Sequence, residues 1–267
     1  MMRRAPRHIL ITGASGGLGA ALARAYAAPG IRLTLGARRR DKLVEVASEC
    51  EAAGAAVALQ AVDVTNASAT RAWIEAADDA APLDLVIANA GISAGTGGDT
   101  GETEAQARAI LAVNLTGVLN TIHPAVDRMR AGDPERQGAA NKGGQIAIVS
   151  SLAGYRGFPG APAYSASKAA VMAYGEALRG DLTAEGIAVT VICPGFVRTP
   201  MTAVNDFPMP FLMEADAAAR IIRRGLSSDR ALITFPWPMR AMGWLLRVLP
   251  SGLVTRLLSR MPKKGAG

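Results

Sequence analysis

Tyr164 and Lys168 stand four residues apart in the run Tyr164-Ser165-Ala166-Ser167-Lys168. The residues that follow, Ala169 to Ala173, are rich in helix formers, which puts the pair on a helix. Positions i and i+4 share a helix face, about 5–6 Å apart at Cβ. An ammonium at that distance favours the phenolate and should draw down a phenol pKa that starts at about 10. A tyrosine tuned in this way can donate or accept a proton at working pH. The same spacing also occurs by chance on exposed amphipathic helices, so the pair needs support from elsewhere in the chain.

That support begins near the N-terminus. His8-Ile9-Leu10-Ile11 reads as a buried strand and Ala20 to Ala28 as a helix. Between them lies Thr12-Gly13-Ala14-Ser15-Gly16-Gly17-Leu18-Gly19. Strand, glycine loop and helix make a phosphate cradle: glycines let the backbone approach a pyrophosphate, and the helix N-terminus offers free N–H groups. The spacing is GxxxGxG over Gly13, Gly17 and Gly19. A second strand, Arg32 to Gly36, ends in Ala37-Arg38-Arg39. An acid at such a strand end bonds the ribose 2′-OH of NAD, whereas arginine suits the 2′-phosphate of NADP. Ala37 stands where the acid is expected, so NADP(H) is preferred over NAD(H), with Arg38 the first choice of the two arginines. The other reading of Arg38 and Arg39 is a solvated start to the helix Asp41 to Ala53.

Further along, Val57 to Ala61 reads as a third strand ending in Asp63-Val64. Asp63 can accept from an adenine amino group, and Asp63 or Thr65 can cap the helix Arg71 to Ala80. Leu83 to Ile87 is a fourth strand, and Asn89-Ala90-Gly91 leaves room for a ligand over its carboxyl end. Ser93 to Gly101 is a glycine-rich loop. Glu104 to Arg130 reads as one long helix with Asn114 on or near its apolar stripe, where a buried amide needs a partner. Residues 131–144 read as a polar surface insertion. Gln145 to Val149 is a strand running into Ser150-Ser151, and Ile187 to Cys193 another, stopped by Pro194-Gly195. Met201 to Met213, rich in Met, Phe and Pro, is either a lid over an apolar substrate or a plain connection. Ala215 to Leu226 is a helix and Ala231 to Phe235 a last short strand.

The 267 residues fit one α/β domain or at most two small ones, and half of them are hydrophobic, ample for a core. Cys50 and Cys193 show no metal or CxxC spacing and read as reduced thiols of a cytosolic protein. His8 and His123 have no partner motif and read as structural. No signal peptide and no run of about 18 apolar residues is evident. The formal charge of +7 is concentrated late: from Ala217 onward there are ten basic residues against the single acid Asp229. Residues 236–267 form a basic extension, in which Pro250-Ser251-Gly252 separates two amphipathic helical runs. Such a pair, carrying Trp244, can lie on an anionic membrane over residues 236–262, cover the substrate cleft, or form a subunit interface. No recognition motif accompanies the basic residues, which speaks against nucleic acid.

Taken together, Thr12-Gly13-xxx-Gly17-x-Gly19, Asp63, Asn89-Ala90-Gly91, Asn114, Ser151, Tyr164-xxx-Lys168 and Pro194-Gly195 resemble the short-chain dehydrogenase/reductase family in order and separation. The likeness covers Arg7 to Pro200, more loosely to Phe235. It implies a single Rossmann-like domain over 1–235, with a doubly wound parallel sheet and helices on both faces. It also implies hydride transfer between NADP(H) and a carbonyl or alcohol, with no metal. Tyr164 would be the proton donor, and Ser151, thirteen residues before it, would hold the reacting oxygen. Lys168 would tune the tyrosine and bind the nicotinamide ribose, and Asn114 would hold a relay water. The implied cofactor contacts are Gly13, Ser15, Gly17, Leu18 and Gly19 at the pyrophosphate, Arg38 and Arg39 at the 2′-phosphate, and Asp63 and Val64 at the adenine. Asn89, Ala90 and Gly91 would lie on the adenosine side, and Pro194, Gly195, Val197 and Thr199 at the carboxamide, with Tyr164 and Lys168 at the ribose. A homodimer or homotetramer is also implied. A 3-oxoacyl-thioester reductase acting on an acidic carrier protein is a second reading. A non-catalytic NADP(H) sensor on a membrane surface is a third, opposed by the intact Ser151, Tyr164, Lys168 and Asn114.

Overall fold

The computed structural model describes residues 5–93, 102–132, 143–205, 208–250 and 252. Short apolar runs ending in glycine or small residues form the strands β1 (His8–Thr12), β2 (Arg32–Ala37), β3 (Ala56–Ala61), β4 (Leu85–Ala88), β5 (Gln145–Val149), β6 (Ala188–Pro194) and β9 (Leu232–Phe235). They pair in parallel in the order β3-β2-β1-β4-β5-β6-β9. Parallel strands buried on both faces read as continuous apolar runs. Alternation still decides which core each residue joins. Ile9 and Ile11 enter one core with Leu33, Leu35, Leu85 and Ile87. Leu10 enters the other with Val86, Ile146 and Ile148.

The helices α1 (Gly17–Tyr26), α2 (Arg40–Ala52) and α8 (Ala215–Ser227) cover the first face. The second is covered by α3 (Ala67–Ala80), α5 (Gly117–Ala131) and α6 (Pro162–Thr183). The strand order reverses between β1 and β4, and the carboxyl ends of strands at such a switch point are where open α/β sheets bind ligands.

Several boundaries differ from the sequence expectations. The run expected as one long helix is α4 (Glu104–Leu111), a π-helical segment (Ala112–Thr116) and α5. By length and composition 104–131 could cross a membrane, but half of its most apolar window is buried, so its stripe is core. Neither Asp63 nor Thr65 caps α3: Asn66 does, its side chain accepting from the Ala69 N–H. Part of the 201–213 segment has regular structure. Thr199 caps the short α7 (Pro200–Ala203), and β7 (Val197–Arg198) pairs with β8 (Met213–Glu214). Of the two late helical runs, the first is α9 (Trp237–Val248), and most of the second lies outside the described residues. So do most of the Ser93–Gly101 loop and of the 131–144 insertion.

The histidines are structural, as expected. His8 bonds Ala81 O and Thr34 Oγ1 at 2.6 and 2.8 Å, and burial lowers its pKa. His123 meets the Tyr174 hydroxyl at 3.1 Å. Both cysteines are free and buried, and burial pushes the Cys50 and Cys193 thiols up to about 11 and about 12.

Candidate active site

A cavity of about 450 Å³ opens over the carboxyl ends of the strands. Every residue singled out from the sequence lines it except Asn114. Gly16, Ala37, Val62, Ile92, Val113, Val149, Ser150, Pro200, Met201 and Thr202 join them.

The glycine loop is held by hydrogen bonds from the end of β4. The Thr12 hydroxyl accepts from Asn89 N–H at 3.0 Å and Ala90 N–H at 3.1 Å. Asn89 Nδ2 donates to Thr12 O at 2.9 Å and Gly13 O at 3.2 Å. Asn89 therefore uses its amide N–H groups to fasten the loop while lining the cavity. Gly13 (φ +68°) has room only for hydrogen, because a Cβ would sit 2.8 Å from Ala90 Cα. A Cβ on Gly19 would collide with the Gly13 carbonyl and lie 2.5 Å from Asn89 Nδ2. Thr12 was missed as the hub, since a strand-end threonine carries no distinctive spacing. The far lip of the loop is Thr199, whose methyl would be 3.2 Å from a Cβ on Gly17. Thr199 is fixed in turn by Thr202, whose hydroxyl donates to Val197 O at 2.7 Å.

At the end of β2, both arginines are exposed and border the cavity. Arg39 Nη2 reaches Ser15 Oγ at 3.5 Å, so it spans the loop. Arg38 lies close enough to Asp63 to help lower its pKa. The larger cause is the Thr65 N–H, which donates to Asp63 at 3.0 Å, joined by the Thr65 hydroxyl at 2.8 Å. Asp63 is thus a preformed carboxylate at the cavity edge.

The catalytic candidates meet where β5 gives way to α6. Ser150 is 2% exposed, and its hydroxyl donates to Lys168 O at 2.7 Å. Ser151 is partly exposed to the cavity. Its Oγ accepts from Ala153 N–H at 3.1 Å, and it lies close enough to Tyr164 to act against the rise of the phenol pKa. Of the two adjacent serines, Ser150 is therefore tied to α6, and Ser151 is the one partly exposed to the cavity. Lys168 is 4% exposed, donates from Nζ to Val149 O at 2.9 Å, and lies 5.7 Å from the centre of the Tyr164 ring.

Two expectations change here. Tyr164 is not drawn down: burial raises its pKa, outweighing the lowering influence of nearby Ser151, and the phenol keeps its proton. Burial also lowers Lys168 from 10.5 to about 8, so the ammonium is a weaker partner than helix spacing suggests. Asn114 is fully buried in the π segment, and its side-chain amide is bonded to protein. Oδ1 accepts from Ile92 N–H at 2.8 Å, and Nδ2 donates to Ile92 O at 2.9 Å and Ser167 Oγ at 3.1 Å. Ser167 Oγ donates onward to Tyr164 O at 2.8 Å. Asn114 thus links the residue after Gly91 to the catalytic helix. π turns are often found at functional sites.

These features fit a dinucleotide. A glycine-only wall, the N-terminus of α1 and cationic side chains suit phosphates, and a carboxylate stands at the edge. No group of three or more potential metal ligands occurs among the described residues.

Residues 7–207 match the family profile of the short chain dehydrogenases. The chain belongs to this family. An uncharacterized oxidoreductase of Myxococcus xanthus is 40% identical over 96% of this chain and 97% of its own. A short chain dehydrogenase from Mycobacterium paratuberculosis, solved bound to NAD, superposes with a TM-score of 0.73 at 26% identity, covering 85% of this chain and 95% of that one. A short-chain dehydrogenase from Sphingobium yanoikuyae, solved with NADPH, gives a TM-score of 0.76 over 97% and 98% at 24% identity and speaks to the fold. The family membership makes the chain an oxidoreductase of the short-chain type, with a Rossmann-like single-domain fold.

Proposed function

We propose that the protein is an NADP(H)-dependent reductase of an apolar carbonyl compound, with Tyr164 as proton donor. The observation that carries it is the grouping of Ser151, a protonated Tyr164 and Lys168 beside the glycine loop. A bound nicotinamide dinucleotide supplies the hydride. The Tyr164 hydroxyl gives its proton to the carbonyl oxygen of the substrate. The Ser151 hydroxyl donates a hydrogen bond to the same oxygen and fixes it as charge develops. Lys168, held by Val149 O, would bond the nicotinamide ribose and steady the phenolate left after proton transfer. Asn114 and Ser167 act as positioning residues, holding Gly91-Ile92 and the first turns of α6 in register. A tyrosine that keeps its proton favours the reductive direction.

Arg38 and Arg39, with no acid at the end of β2, support NADP(H) over NAD(H). Ile92, Val113 and Met201 in the cavity lining support an apolar substrate. The intact proton-donor group speaks against a purely sensing role. The test is reduction of a panel of ketones, aldehydes and 3-oxoacyl thioesters of increasing chain length, each with NADPH and with NADH. Turnover with NADPH that improves with chain length is expected. Faster turnover with NADH would contradict the cofactor reading, and best activity on the smallest, most polar ketones would contradict the apolar one.

A further inference from the structure

Helix α9 has two unlike sides. On the inner side, Met239 is 6% exposed and packs where a Cβ on Gly195 would lie 2.7 Å from its sulfur. Gly243 lies against Leu152 and Tyr155, at 3.5 Å from where its Cβ would be. Arg156 Nη2 donates to Leu249 O at 2.8 Å, at the end of the helix. α9 is therefore clamped to the loop that carries Ser151. The outer side holds Trp237, Arg240, Ala241, Trp244, Leu245 and Val248, all exposed. Their spacing of i, i+3, i+4, i+7, i+8 and i+11 makes one continuous stripe. Trp237 is 78% and Trp244 63% exposed, with Leu245 and Val248 near half. A helix on a soluble protein ordinarily turns its polar face to water, and a contiguous apolar face marks an interaction site.

Charge decides between occupants. From Arg230 to the end the chain carries seven basic residues and no acid. A two-fold contact with a second copy would bring Arg240 and its basic surroundings against themselves. An anionic bilayer instead satisfies both features: tryptophans sit at the headgroup level, and arginines beside an apolar stripe pair with lipid phosphates.

We propose that the outer face of α9 docks on the surface of an anionic bilayer. The docked helix is the one packed on the catalytic loop, so the reductase would receive an apolar carbonyl that partitions into lipid. This consequence rests on the reductase reading, whereas docking itself does not.

The test is flotation of the full-length protein with vesicles of phosphatidylcholine alone and of phosphatidylcholine with phosphatidylglycerol, at low and high salt. Flotation with the anionic vesicles, weakened by salt, is expected. The double variant Trp237→Glu/Trp244→Glu should bind about tenfold less or weaker still, and Arg240→Glu should lose about fivefold or more. Thermal melting and turnover of a water-soluble ketone would check that both variants fold. Wild-type protein that floats with neither vesicle, or with both equally, overturns the proposal, as does a double variant that binds like wild type. An oligomer that falls to a smaller mass in the double variant, without vesicle binding, assigns the face to a second copy and also overturns it. Because flotation needs no turnover, its failure leaves the reductase reading standing, and failure of the ketone panel leaves the docking result readable.

Discussion

Along β1, β4 and the loop from Thr12 to Gly19, the cleft is walled by backbone and small side chains. Four hydrogen bonds between Thr12 or Gly13 and Asn89 or Ala90 fix that wall, and two glycines leave no room for a methyl group. On the other side the cleft is lined by Val197, Thr199, Pro200, Met201 and Thr202, and behind that lining Leu152 and Tyr155 pack against α9. Their contacts are mainly van der Waals, with single polar ties such as Tyr155 to Thr234 at 3.1 Å and Arg156 to Leu249. The first wall suits a ligand of fixed shape and charge. The second can change side chains without altering the fold, as loops that set substrate range do.

The largest expected effect lies at Lys168, where the two walls meet. Its pKa is lowered from 10.5 to about 8, so the unfolded chain binds more protons between these values and stability rises with pH across that window. Below pH 8 the buried ammonium costs about 3 kcal/mol, a cost relieved as pH climbs toward 10.5. Lys168→Met removes the group. The stability of the cofactor-free wild type should rise relative to this variant by about that amount over the window, measured by denaturant melts at matched pH. A flat difference would mean the ammonium is solvated.

A glycine pair tests the contrast between walls directly. Gly19→Ala should cost about 1–3 kcal/mol and lose NADPH binding, because its methyl group meets the Gly13 carbonyl. Gly243→Ala on the inner side of α9 places its methyl group at ordinary contact distance from Leu152 and Tyr155, and should stabilise by about 0.5–1 kcal/mol. Equal melting shifts in the two variants would erase the distinction. Arg38→Ala should weaken NADPH by about 10–100-fold and NADH by much less, the worth of one charge-assisted phosphate contact. If only Arg39→Ala does so, the arginine that spans to Ser15 is the phosphate ligand.

The first wall was the more legible in sequence, because its requirements fall on consecutive residues. Gly13 follows β1, Gly17 and Gly19 fall in the first turn of α1, and Asn89-Ala90-Gly91 follows the next strand inward. Tyr164 and Lys168 were legible through their spacing, and Ser151 only through the family resemblance. What burial decides was not. The Tyr164 and Lys168 pKa directions depend on how deeply α6 lies against β5, which helix spacing alone does not report. The π segment around Asn114 has the composition of an ordinary helix, and only contacts distant in sequence, to Ile92 and Ser167, reveal its purpose. In α9 the amphipathic stripe could be read, but not that its small face, Met239 and Gly243, turns inward while the tryptophans face out.

The most direct test of the central claim is Tyr164→Phe, with NADPH binding and turnover measured on the same sample. Loss of the proton donor predicts a fall in kcat of about 10²–10⁴-fold, with NADPH affinity changed only slightly. Turnover close to wild type would contradict the role given to Tyr164.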